Sequence, residues 1–181
     1  MITNIVLDID ETLIHSTLRR TKQTSFSIAL AGQTYYVGIR PGLRNFLRFC
    51  FAHFATVNIW TAATSDYAYA IMSKILTADQ KRRLKFFNTR GHMTHQAKRL
   101  IDLFNNPQAR QLNITPSNTI IVDDKLEPSR FNLGNTIIIP AWQGSPSDRY
   151  LSKLQIVLEG LNQLDLQAGG AKPLFLQEIV S

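Results

Sequence analysis

Short, largely apolar runs recur along the chain at wide intervals: Ile5-Val6-Leu7, Thr56-Val57-Asn58-Ile59-Trp60, Thr119-Ile120-Ile121-Val122 and Ile137-Ile138-Ile139. Each has the length and branching of a strand buried on both faces, the habit of a parallel sheet. Between the first two runs, Leu43, Phe46, Leu47, Cys50, Phe51 and Phe54 fall on one helical stripe and predict an amphipathic helix after Pro41-Gly42. Residues 26–30 and 34–39 flank Ala31-Gly32-Gln33, the pattern of a β-hairpin. Ser65-Asp66 starts a helix to about residue 76, residues 84–88 read as a short strand, and residues 94–104 as a helix. Ser145-Pro146-Ser147-Asp148 offers caps and an early proline for a last long helix ending near residue 164. Strands alternating with helices imply an α/β fold with right-handed crossovers.

The chain of 181 residues is expected to form one domain over residues 1–165, followed by a tail, residues 166–181. Such a length buries roughly 70% of the unfolded surface. A hydrophobic share of 44% and a charged share of 18% are those of a globular protein. No apolar stretch approaches the roughly 18 residues of a membrane span. No signal peptide is expected, because an apolar strand begins almost at Met1. The single cysteine excludes an internal disulfide and suits a reducing compartment, so an intracellular place, cytoplasmic or nuclear, is expected. The net charge of +7 gathers at Arg19, Arg20 and Lys22, at Lys81, Arg82, Arg83 and Lys85, and at Lys98 and Arg99. Such runs usually form solvated faces, yet a basic balance favours anionic partners.

Chemistry concentrates where the strands end. The first run leads into Asp8 and Asp10, with Thr12 beyond; the second ends at Thr61; the third ends at Asp123-Asp124. Carboxyl ends of parallel strands share one edge, so these groups can converge. Clustered oxygens suit Mg²⁺, one carboxylate can attack phosphorus, and a hydroxyl and an ammonium can offset the charge of a transferring phosphoryl group. Cys50 lies on the apolar stripe, and Thr56 stands where a cysteine phosphatase would need an arginine, so a thiol nucleophile is rejected. His92 and His95 lack companions at zinc-site spacing.

Asp8-Ile9-Asp10-Glu11-Thr12-Leu13, Arg40-Pro41-Gly42, Trp60-Thr61-Ala62-Ala63 with Tyr67-Ala68, and Ile121-Val122-Asp123-Asp124 with Phe131, Asn135 and Trp142 resemble the motifs of a known family. The chain resembles a phosphatase of the haloacid dehalogenase superfamily, in the branch acting on the C-terminal domain of RNA polymerase II and related small phosphatases. The implied fold is a Rossmann-like parallel sheet flanked by helices, with a small β-hairpin insertion and no large cap domain. The resemblance implies Asp8 as nucleophile and Mg²⁺ ligand. It implies Asp10 as general acid–base with its carbonyl on the metal, and Thr61 as a phosphate-binding residue, with Thr12 nearby in the substrate-binding set. Asp123 or Asp124 completes the metal shell, with Asp124 favoured as direct ligand. For the third-motif lysine, Lys98 at an expected helix start is preferred, with Arg99 and Lys125 as rivals.

The gaps between the motifs are too short for a large cap, and open sites suit phosphates carried on polymers. The expected substrate is therefore a phosphorylated protein or peptide carrying phosphoserine or phosphothreonine. Alternatives on the same scaffold are a nucleic-acid 3′-phosphatase or small-metabolite phosphatase, and, from another class, an inactive phosphopeptide-binding module. Phe26, Tyr35 and Tyr36 either pack within the hairpin sheet or line a groove beside the phosphate. Leu174, Phe175, Leu176, Ile179 and Val180 are too apolar for a free end, so the tail is expected to pack on its own domain, with docking on a second copy as the alternative.

Overall fold

The computed structural model describes residues 2–127, 130–161 and 174–179. Its strands are β1 (Asn4–Leu7), β2 (Ile14–Thr17), β3 (Thr24–Leu30), β4 (Gln33–Ile39), β5 (Thr56–Trp60), β6 (Phe87–Asn88), β7 (Thr119–Asp123), β8 (Thr136–Ile138) and β9 (Leu174–Phe175). Its α-helices are α1 (Leu43–His53), α2 (Ser65–Ile75), α3 (Ala78–Arg83), α4 (Leu100–Phe104), α5 (Pro107–Gln111), α6 (Tyr150–Leu161) and α7 (Leu176–Ile179). A parallel sheet runs in the order β6-β5-β1-β7-β8-β9, with β1 central.

The two-residue period of the strands divides the core. Ile5 and Leu7, Val57 and Ile59, and Ile120 and Val122 face the larger cluster, which α1, α2 and α6 cover with Phe46, Cys50, Ile71 and Leu154. Val6, Trp60 and Ile121 face the opposite cluster, closed by Leu100 and Leu103 of α4 and Ala109 of α5. Both faces are thus covered, which is why these strands are largely apolar; the polar Thr56 and Asn58 of β5 are buried and hydrogen-bonded inside.

The expected hairpin gains a third strand: β2 pairs antiparallel with β4, giving a small sheet in the order β2-β4-β3. This sheet and α1 fill the chain between β1 and β5, so among the described residues no large cap stands over the main sheet. The strand expected over residues 84–88 shortens to β6. The helix expected over residues 94–104 is confined to α4. His95 and Gln96 adopt left-handed backbone angles, φ 52° and 58°, which a right-handed helix cannot accommodate. The last helix starts at Tyr150, where Asp148 Oδ1 accepts the backbone N–H at 3.1 Å; its expected end near residue 164 and the Gly169-Gly170 break lie outside the described residues. Of the tail, β9 adds in parallel to β8, and Leu176 is fully buried in the main core.

A buried arginine fastens the loop after β1. Arg40 donates to the carbonyls of Thr12 (3.0 Å), Glu11 (3.2 Å) and Pro140 (2.8 Å), and makes a two-pronged pair with Asp148 at 2.9 and 3.0 Å. Trp142 adds a second fastening, its backbone N–H donating to the Glu11 carbonyl at 2.8 Å.

Candidate active site

Register and side-chain alternation build the site. Leu7 lies opposite Val122, so Asp8 lies beside Asp123, and both project to the face that carries Val6 and Ile121. Lys98, in the loop before α4, approaches on that same face. Its ammonium donates to Asp8 Oδ1 at 2.5 Å and to Asp123 Oδ2 at 2.6 Å, with all three side chains buried. Asn132 fixes this loop: its amide donates to the Lys98 carbonyl, and its Oδ1 accepts the Leu100 N–H at 2.9 Å. Asp123 Oδ1 accepts the Lys125 N–H at 2.9 Å, which orients the carboxylate further.

Ligand oxygens of Asp8, Asp123 and Asp124 all lie within 4.8 Å of one another, the grouping of potential metal ligands among the described residues. Burial pushes the Asp8 carboxyl well above the ordinary carboxylate range; Lys98 opposes the rise and Asp123 adds to it. Burial alone would lower the Lys98 ammonium, but Asp8 and Asp123 hold it above its usual value. The two rises differ in origin: desolvation drives that of Asp8, and the two neighbouring carboxylates drive that of Lys98. Burial, with Asp123 adding to it, pushes Asp124 up to about 6. An all-oxygen set with surplus negative charge suits a hard divalent cation.

Asp10 stands apart from this grouping. Its Oδ1 accepts the Tyr67 hydroxyl at 2.6 Å, and the same hydroxyl lies 2.7 Å from Ser16 Oγ. Tyr67 has a single proton, so it donates to Asp10 and accepts from Ser16. Burial raises the Asp10 carboxyl, while the Tyr67 hydrogen bond works against the rise. Burial, then the Asp10 charge, push the Tyr67 phenol far above its ordinary value, so it stays a donor.

Asp8, Asp10, Thr61, Lys98, Asp123 and Asp124 share a cleft of about 490 Å³, with Tyr35, Tyr67, Arg90 and Lys125 on its walls. Thr61 Oγ1 accepts the Ala63 N–H at 3.1 Å, which shapes the turn after β5. Thr12 is the exception among the expected site residues. It is fully buried, its hydroxyl makes no hydrogen bond, and it does not line the cleft. The chain after Asp10 turns back through Glu11 at φ 57° to begin β2, and that turn carries the Thr12 side chain into the interior. Lys98 reaches the site from an extended loop and not from a helix start. Of its rivals, Arg99 lies over the Phe131 ring and Lys125 lines the cleft wall. Of the hairpin aromatics, Tyr35 meets Tyr67 edge-on at 5.4 Å and lines the cleft, whereas Phe26 packs against the core. His92 Nδ1 accepts the Thr89 N–H, a capping role. Sequence reasoning missed Tyr67 as the partner of Asp10, Arg90 on the wall and Asn132 behind Lys98. The first was visible only as part of a motif, and the other two carried no local signal.

A larger hollow, about 670 Å³ between α1 and α2–α3, shares no residue with this cleft and has Asp79 as its one carboxylate, so the carboxylate cluster lies in the smaller cavity. Among curated proteins, CTD small phosphatase-like protein 3 of Caenorhabditis elegans is 31% identical over 169 residues, covering 88% of this chain and 54% of that protein. Nuclear envelope morphology protein 1 of Schizosaccharomyces pombe is 31% identical over 163 residues, covering 87% and 33%. The chain thus spans about half or less of these relatives. Among solved structures, Fcp1, an essential RNA polymerase II CTD phosphatase, aligns with a TM-score of 0.67 at 16% identity, over 99% of this chain and 69% of that one, a likeness of fold. A family model described as NLI interacting factor-like phosphatase matches residues 3–167. By that match, which takes in every residue of the cleft, the chain belongs to the NLI interacting factor-like phosphatase family.

Proposed function

We propose that the protein is a Mg²⁺-dependent phosphomonoesterase that forms an aspartyl-phosphate on Asp8 and acts on phosphoserine or phosphothreonine in flexible protein segments. The observation that carries this reading is the buried Lys98 ammonium bridging Asp8 and Asp123 at the floor of an open cleft, with Asp10 held separately by Tyr67. Asp8, Asp123 and Asp124, with the Asp10 carbonyl, would hold the cation, which when bound offsets the charge of the phosphate and keeps Asp8 ionised.

Asp8 attacks phosphorus, and the bond to the leaving oxygen breaks as Asp10 gives that oxygen its proton. Lys98 and Thr61 face the transferring group and offset its charge. In the second half, water attacks the aspartyl-phosphate, Asp10 takes back a proton, and inorganic phosphate leaves with Asp8 restored. The division of labour suits the surroundings: Asp8 touches a cation, while Asp10 touches a neutral donor and can carry a proton. The open cleft between the small sheet and α2 favours a phosphate presented on an extended chain, and the relatives named CTD small phosphatases make polymerase-tail peptides the first substrates to try.

The test is a parallel panel of singly phosphorylated peptides, 3′-phosphorylated oligonucleotides and sugar phosphates, run with Mg²⁺ or with chelator, on wild type and Asp8→Asn. The expected result is Mg²⁺-dependent release of phosphate from peptides and none from the variant, which should melt as wild type does. Turnover by Asp8→Asn near the wild-type rate, or full activity with chelator, refutes the mechanism; preference for oligonucleotides or sugars refutes the substrate.

A further inference from the structure

The hollow between α1 and α2–α3 is built unlike the catalytic cleft. Leu47 and Phe51 of α1, and Ile75 and Leu76 at the end of α2, form an apolar floor. Arg44 and Arg48, one turn apart on α1, line it with Lys74 and Arg83. Arg83 is engaged: it lies over the Phe51 ring, donates to the Phe51 carbonyl, and pairs with Asp79 at 3.4 Å. Arg44, Arg48 and Lys74 are exposed and form no ion pair among the described residues. Leu76 also lines a second cavity of about 320 Å³, floored by Met72, Phe86 and Phe87 and edged by Lys81 and Lys85. The basic run at residues 81–85, which catalysis does not use, therefore edges an apolar surface. The α2 helix starts beside the cleft and ends at this hollow, about 15 Å away along its axis.

We propose that these adjoining cavities form a docking site for an acidic segment of a partner protein that inserts apolar side chains into the two hollows. Charge complementarity selects an anion, because cations on the rim face a lone carboxylate, Asp79. Concavity selects a side chain over a bilayer. Insertion into a membrane needs several projecting apolar groups, and of the exposed large apolar residues among those described Tyr69 alone lines a hollow, lying flat on Phe87 at 4.4 Å. The larger hollow selects a peptide over nucleic acid, since its one ring, Phe51, is buried beneath Arg83, and in the smaller one Tyr69 already has one face stacked on Phe87. The two cavities share Leu76 as a wall, so one extended segment crossing it can place several side chains in both.

The test uses a fluorescein-labelled peptide in which aspartate and glutamate alternate with leucine and phenylalanine. Polyglutamate, an uncharged serine–leucine–phenylalanine peptide, phosphatidylserine vesicles and a single-stranded oligonucleotide serve as the other arms. Fluorescence anisotropy and vesicle flotation read binding by wild type, by Arg44→Glu with Lys74→Glu, and by Ala52→Trp, which fills the larger hollow without changing charge. The acidic–apolar peptide should bind wild type, and each variant should weaken it about tenfold or more. Thermal melts and turnover of a chromogenic phosphate ester should stay at wild-type values, since none of these residues belongs to the cleft. Equal binding to variants and wild type, no binding of the peptide, or equal binding of polyglutamate overturns the proposal. Stronger binding of vesicles or oligonucleotide, abolished by the charge reversals, overturns the choice of partner.

Discussion

Replacing Asp148 by alanine tests whether the loop that carries Asp8 and Asp10, the proposed catalytic carboxylates, is held from a distance. Asp148 is the sole carboxylate on Arg40 among the described ion pairs, with the two side chains 8% and 0% exposed. Removing one partner of such a pair leaves a buried charge uncompensated, at a cost of about 3–5 kcal/mol. Asp148 Oδ1 also accepts the Tyr150 N–H at the start of α6, a capping bond of about 1 kcal/mol. One carboxylate makes both contacts, so they do not add in full, and about 4 kcal/mol is the working figure. For a chain of this size each kcal/mol moves the melting temperature by about 2–4 °C, so Asp148→Ala should melt about 8–16 °C lower by calorimetry or circular dichroism. The pair Arg40→Met with Asp148→Leu removes both charges and should lose less stability than the sum of the single losses, because no buried charge remains alone. Turnover should fall in Asp148→Ala and in the double variant even well below their melting points, because the guanidinium that anchors the Glu11 and Thr12 carbonyls loses its carboxylate support in the first and is absent from the second. A fall of less than about 2 °C in Asp148→Ala, or additive losses in the double variant, would refute the reasoning.

Tyr67→Phe removes the donor to Asp10 while keeping the ring against Tyr35, so turnover should fall more for alkyl phosphates than for nitrophenyl phosphate, whose leaving group needs little protonation; equal losses on both would deny Tyr67 its part in positioning the acid. Mg²⁺ affinity by calorimetry should rise as pH climbs through about 6, where Asp124 gives up its proton. Between the unfolded value of 3.8 and about 6 the metal-free protein should lose stability as pH rises, because the folded state holds that proton more tightly than the unfolded chain does; a flat affinity profile would remove Asp124 as ligand. Deleting residues 171–181 strips β9 from β8 and Leu176 from the core, and should lower the melting temperature without changing the mass in solution; conversion of a dimer to a monomer would show instead that the segment docks on a second copy.

What the sequence disclosed depended on how far each partner lies along the chain. The alternation within Ile5-Val6-Leu7 and Ile120-Ile121-Val122 is local, and parallel register then carries Asp8 to Asp123 without further information. The left-handed turn before α4 is not legible locally because His95 and Gln96 have little local bias against a helix, and the turn is held by a distant partner, the Arg130 guanidinium on the His95 carbonyl at 2.7 Å. Strand β2 was hidden because Ile14 to Thr17 gains its identity from pairing with β4, some twenty residues on. Thr12 was placed in the site by motif position, and the turn at Glu11 takes it inside. One local signal was legible and overlooked: Thr77 and Gln80 form a reciprocal capping box that starts α3. Arg40 shows the limit of local reading, since its ion-pair partner lies 108 residues away.

The central place of β1 has a consequence for how the chain emerges from the ribosome. Asn4–Leu7 is made before both of its neighbours, β5 and β7, and β7 ends only at Asp123. At ordinary translation speed that interval is on the order of ten seconds. Throughout it, an apolar strand with two unpaired edges and a half-assembled acidic cluster must wait, and Asp148 arrives later still to meet Arg40. A nascent chain of this protein therefore stays catalytically silent, and a client for holding chaperones, until most of the domain has left the exit tunnel.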